Sequence, residues 1–157
     1  MQRNTSANTS LNQIPKVWKY IEYDRIDTLL DYGCGRYDKF KEYVESQGVN
    51  YFGYDKYNRS EHENEIALAC SPDIITCCNV LNVIDSLSEI EYIVARLSEY
   101  ACPVIFSIYE GNKSGIGKVS KKDCFQRNQR ASLYIPLIEE YFEHVVRKNN
   151  MIFCNFF

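Results

Sequence analysis

A chain of 157 residues, 45% apolar and 14% aromatic, has enough apolar surface for one packed core and is short for two. Its formal net charge of −3 excludes a surface coated in basic residues for general nucleic-acid binding, and no stretch approaches the ~20 apolar residues of a membrane helix. No export segment is evident at the N-terminus, so the sequence reads as cytoplasmic and not membrane-associated; the odd number of cysteines, seven, then reads as reduced, space-filling thiols. There is no Cys-x-x-Cys pair, His62 and His144 lie far apart, and no metal site is expected.

Residues 1–12 are polar and aperiodic and read as a flexible tail, leaving residues 13–157 as the single domain. Ile14, Val17, Trp18 and Ile21 follow helical spacing with Pro15 in the first turn, which predicts a short amphipathic helix. "DTLLDYG" (27–33) predicts a buried strand. A helix carrying Phe40, Tyr43 and Val44 follows, and Gly48 stops it. "NYFGYD" (50–55) predicts the next strand, "EIALAC" (65–70) fits helix or strand, and "DIITCCNVLNVI" (73–84) starts as a β-branched strand.

Ser86 and Glu89 have capping-box spacing ahead of Ile90, Ile93, Val94 and Leu97, which predicts a helix. "CPVIFSIYEG" (102–111) predicts a buried strand ending in Tyr109 and Glu110, and a glycine-rich, basic segment runs on to about residue 131. Leu137, Ile138, Tyr141, Phe142 and Val145 predict a helix with Pro136 in its first turn, and the C-terminus predicts a hairpin across Asn149-Asn150. This alternation is that of an α/β domain with a mostly parallel sheet.

In such sheets the ligand lies outside the carboxyl ends of the strands. Gly33 and Gly35 occupy the first strand-to-helix turn, where bare backbone can bend sharply and approach a ligand, and Asp55 ends the second strand 20 residues past Gly35, placed for ribose hydroxyls. Position 38 is Asp, where a dinucleotide fingerprint needs glycine, and a Walker lysine is missing. The carboxylate of Asp31 would repel a pyrophosphate but attract a ligand carrying an ammonium and a sulfonium, as S-adenosylmethionine does.

"LLDYGCG", "YFGYD" and "DIITCCNVLNVI" resemble the Asp-x-Gly-x-Gly motif, the second strand and the fourth strand of class I S-adenosylmethionine-dependent methyltransferases, over roughly residues 26–157. "NVLNVI" with "YEGNKSGIGKVSKKDCFQRNQ" is also similar to small stand-alone members of phages and bacteria. The resemblance implies a single-domain Rossmann-like fold with helices on both faces of a sheet ordered 3-2-1-4-5-7-6, the last strand antiparallel. Only residues 56–72 are left for the third strand, which is therefore expected to be short or missing. It implies S-adenosylmethionine as cofactor, with Asp31 at its methionine end, Gly33 and Gly35 beneath it, Asp55 on the ribose, and Asn79 at the mouth where methyl acceptors enter. The adenine end has no assigned residue; Asp73 is a candidate, but a solvent-facing residue at the strand start is its more natural reading.

Asn79, Tyr109 and Glu110 are the candidate catalytic residues: Tyr109 and Glu110 as general base or acceptor clamp, and Asn79, with Asn82 as an acceptor contact, orienting an acceptor by hydrogen bonds or else capping a turn. Lys113, Lys118, Lys121, Lys122, Arg127 and Arg130 stand against Asp123 alone, and a basic flap of this kind suits a phosphate-bearing or otherwise anionic acceptor, such as nucleic acid. Neither the Asn/Asp-Pro-Pro-aromatic motif of exocyclic-amine DNA methyltransferases nor the Pro-Cys of cytosine C5 enzymes is present. The alternative is an inactive module that keeps the cofactor pocket and works through partner contacts.

Overall fold

The computed structural model describes residues 14–119 and 124–156. Its centre is a six-stranded sheet built from β1 (Thr28–Tyr32), β2 (Asn50–Tyr54), β3 (Ile74–Cys78), β4 (Val104–Ser107), β7 (Val145–Lys148) and β8 (Met151–Cys154), ordered β2-β1-β3-β4-β8-β7. The first four pair in parallel, while β8 runs antiparallel to β4 and β7. Asn149, at φ 56°, makes the turn between the last two strands, as the Asn-Asn pair predicts. A separate two-stranded ribbon, β5 (Lys118–Val119) with β6 (Phe125–Gln126), lies in the basic segment.

Alternation along β1 splits the interior between the two faces of the sheet. Leu30 and Tyr32 join α2 (Glu61–Ala69), α3 (Leu87–Ser98) and α4 (Ile135–Glu139) on one face through Ala67, Ile90, Val94, Leu97 and Ile138. Leu29 packs on the other with α1 (Lys39–Ser46), through Phe40 and Val44, and with Val17 and Ile21 near the N-terminus. Helices thus cover both faces, which a parallel sheet requires.

Several expectations change in detail. Residues 14–21 form a 3-10 turn, Lys16–Tyr20, with Pro15 extended ahead of it at ψ 139°, so Val17 and Ile21 are buried without a full α-helix. "EIALAC" lies at the end of α2, whose start is set by a complete capping box between Ser60 and Glu63. The chain therefore leaves β2 directly into a helix, and β2 has no third-strand neighbour among the described residues. The Ser86 hydroxyl caps α3 by accepting from the Glu89 N–H. β4 ends at Ser107, so Tyr109 and Glu110 stand beyond the strand, and α4 is a single short turn of helix that stops before Val145, which β7 takes.

Candidate functional site

The carboxyl ends of β1, β2, β3 and β4 open into a cleft of about 1110 Å3. At its floor, β1 runs into Gly33 and Gly35, with φ of 83° and 74°. A side chain at Gly33 would collide with Val80 Cγ2, so that position needs glycine for space as well as for its dihedral. Gly53 on β2 serves the same turn, since a Cβ there would lie 2.8 Å from Cys34 Sγ. The N–H groups of Gly33 and Cys34 both donate to the Tyr54 carbonyl, at 2.7 and 2.9 Å, and that of Gly35 donates to Asp55 Oδ2 at 2.8 Å. All three turn amides are spent inside the protein.

Two carboxylates stand beside this turn. Asp31 is 4% exposed and accepts from the hydroxyls of Tyr51 at 2.6 Å and Thr76 at 2.8 Å. Burial raises its pKa to about 6 against the lowering effect of those two hydroxyls and of Arg59. Asp55, 8% exposed, accepts at Oδ1 from the Tyr57 N–H, the Asn58 N–H and the Asn58 side-chain amide, all within 3.0 Å. A carboxylate offers about four acceptor positions, so Oδ2, bonded to Gly35, keeps room for a single further donor. Asn64 on α2 holds the Asp55 backbone from behind, accepting its N–H and donating to its carbonyl, each at 3.0 Å.

Asp31, Gly33, Gly35, Asp55, Asn79, Asn82 and Tyr109, expected from separate parts of the sequence, all line this one cleft. Asn79, at φ 58°, is exposed and donates its backbone N–H to the Ser107 carbonyl; buried Asn82 accepts the Tyr109 N–H at 3.4 Å. Glu110 is not in the lining: its Oε2 accepts the Ala131 N–H at 2.7 Å and holds the start of the turn leading to α4. Arg127 is turned away too, donating to the Ile84 and Asp85 carbonyls and to Gln129. Lys113, Lys118 and Arg130 are exposed outside the lining, although Lys118 pairs in register with Gln126, which is part of it. Lys121 and Lys122 lie outside the described residues. Asp73 sits at the opposite end of the sheet, accepting the Asp27 and Thr28 N–H groups at the start of β1.

The sequence held no sign of a second arm of the cleft. Tyr32 and Tyr54 stack with centroids 4.5 Å apart, and Val80, Ile84, Glu89 and Ile93 complete the arm on the α3 side. These residues come from β1, β2, α3 and the segment before α3, and no single local pattern links them all. The thiols near the site stay protonated, since burial pushes Cys34 up to about 12 and Cys77 and Cys78 well above the ordinary range.

No family model matches the chain, and no curated protein sequence does. Solved structures do resemble it, two of them as follows. An S-adenosylmethionine-dependent methyltransferase of Mesorhizobium loti superposes with a TM-score of 0.55 at 9% identity, over 89% of this chain and 94% of that one. A Listeria monocytogenes protein that carries the same assignment provisionally gives 0.53 at 12% identity, over 88% and 94%. At such identities the likeness shows the fold alone: a Rossmann-like α/β domain, with no strand beyond β2 among the described residues.

Proposed function

We propose that the protein is an S-adenosylmethionine-dependent methyltransferase with its cofactor across the turn of Gly33 and Gly35. The observation that carries this reading is the spending of the three turn amides within the protein, which leaves the floor of the cleft with two carboxylates and no cradle for a pyrophosphate. A cationic nucleoside fits that floor and an anionic one does not. Asp31 takes the ammonium end, and Asp55 takes one ribose hydroxyl at Oδ2. The adenine enters the arm between Tyr54, Val80 and Ile84, with Glu89 as acceptor for its amino group.

When bound, the cofactor supplies a methyl group to an in-line nucleophile and leaves as a neutral thioether. The protein's part is to hold the acceptor close and aligned. Asn79, Asn82 and Tyr109 stand at the ends of β3 and β4, where the acceptor approaches, and supply hydrogen bonds to orient it. Glu110 has no base role in this reading, because its carboxylate is engaged with Ala131. Lys118 at the lip, opposite Gln126, supports an acceptor with phosphate or another anion next to the reacting group.

Titration calorimetry with S-adenosylmethionine and with NAD tests the cofactor: binding of the first and not the second is expected, and the reverse would overturn the reading. Labelled cofactor incubated with fractionated cell extract then tests turnover. The second reading, a cofactor-binding module without turnover, is favoured by the lack of a strand beyond β2 among the described residues and by the extent to which Asp55 is already occupied. Binding with no label in nucleic acid, protein or small molecules would select it.

A further inference from the structure

Gly35 is held from both sides, and the second hold comes from a residue outside the cleft. Its N–H is bonded to Asp55, while its carbonyl accepts from Arg59 Nε at 3.0 Å. The same guanidinium reaches the Tyr37 carbonyl at 3.4 Å and Asp38 Oδ1 at 2.8 Å, so three residues between the turn and the start of α1 converge on one side chain. Asp38, in the N-cap position of α1, makes no side-chain bond to its own helix, and its carboxylate serves Arg59 instead. Arg59 side-chain exposure is 15%, and the residue is absent from the lining of the cleft.

A glycine turn has the most conformational freedom to lose when it orders around a ligand, and a planar fork with several fixed donors removes that freedom beforehand. We propose that Arg59 is the positioning residue of the site, setting the shape of the Gly33–Gly35 turn for the cofactor without touching it. The proposal rests on the reading of the cleft as an S-adenosylmethionine site. Its charge adds a second effect. Asp31 is faced by Tyr51 from β2, by Thr76 and Cys78 from β3 and by Cys34 from the turn, while the charges of Asp55 and Arg59 in the loop after β2 act on it through space; Arg59 is the cation among these groups.

The test compares the unaltered protein with Arg59→Lys and Arg59→Gln, reading amide hydrogen exchange over residues 33–38 and S-adenosylmethionine affinity from pH 5 to 8. Lysine keeps the charge but lacks the fork, so Arg59→Lys should melt within a few degrees of the unaltered protein yet exchange faster over 33–38 and bind roughly tenfold more weakly. The pH at which binding is lost should stay in place for Arg59→Lys and move upward for Arg59→Gln, a shift that looser packing alone does not produce. Unchanged exchange over 33–38, or affinity within twofold of the unaltered protein in both variants, would overturn the proposal. Should Arg59→Gln fail to fold, Arg59→Lys carries the test alone. An unaltered protein that binds no S-adenosylmethionine defeats the reading of the cleft, and the exchange measurement still decides whether Arg59 holds the turn.

Discussion

The two halves of the cleft are built on opposite plans. At the ends of β1 and β2 the polar groups are bound to one another: Gly33, Cys34 and Gly35 to Tyr54 and Asp55, Asp55 to Tyr57 and Asn58, Asp31 to Tyr51 and Thr76. At the ends of β3 and β4, Asn79 and Tyr109 are exposed, the latter 58%, and the neighbouring Gln126 belongs to a small ribbon rather than to the main sheet. The contrast suits a site in which one ligand is constant and the other is supplied from outside. A preorganised floor binds its ligand at lower entropic cost, while the open half stays adaptable.

Breaking the ordered half should have the largest effects. Asp55→Ala removes the partner of three backbone N–H groups and one side-chain amide, so we expect S-adenosylmethionine binding to fall below detection by calorimetry and stability to drop by about 3 kcal/mol, read by urea unfolding. Unchanged affinity would remove Asp55 from the site. Gly33→Ala places a methyl group on Val80 at a positive φ, for an expected loss of about 2–3 kcal/mol and a melting temperature lower by roughly 8 °C.

Asp31→Asn separates binding from stability within that same half. The Asp31 pKa is about 6 in the fold against 3.8 unperturbed, so between those values the folded protein holds more protons than the unfolded chain, and stability falls as pH rises from about 4 to about 6. The ionised carboxylate therefore opposes folding at neutral pH. Asn at this position should raise the melting temperature at pH 7.5 by about 5 °C, with the gain vanishing near pH 4, while weakening S-adenosylmethionine binding at least tenfold. In the unaltered protein, cofactor affinity should decline as pH falls through about 6 and Asp31 becomes neutral. A melting temperature that drops at pH 7.5 would show that the carboxylate is held for stability.

The smallest change belongs to the open half. Tyr109→Phe, at an exposed position, should move stability by less than about 0.5 kcal/mol and leave cofactor affinity unaltered, while lowering turnover if the phenol orients the acceptor. A loss of cofactor affinity here would erase the distinction between the two halves.

Most of the ordered half can be read from residue order. "LLDYG", "NYFGYD" and "DIITCC" announce strands by β-branched and aromatic runs bounded by turns, and Asp31, Gly33, Gly35 and Asp55 all reach the cleft because strand ends are where a parallel sheet exposes its backbone. The Ser60-x-x-Glu63 box that begins α2 has the same spacing as Ser86-x-x-Glu89 and is equally legible, whereas "EIALAC" by itself fits helix or strand. Glu110 and Arg127 show the limit in the other direction. Both residue types suit chemistry, but their heads are drawn to backbone groups of segments 21 and 42–43 positions away.

What the sequence alone determined, then, is the alternation of strands and helices, the closing hairpin and the bare turn with an acid at each side, because each depends on spacing within a few residues. The tertiary structure decided which groups meet across the sheet: Tyr51 and Thr76 on Asp31, Arg59 on Gly35, and the Tyr32–Tyr54 pair that opens the second arm. Those contacts follow from strand order and register, which bring residues 20 or more positions apart to within hydrogen-bond distance, and local propensity carries no trace of them.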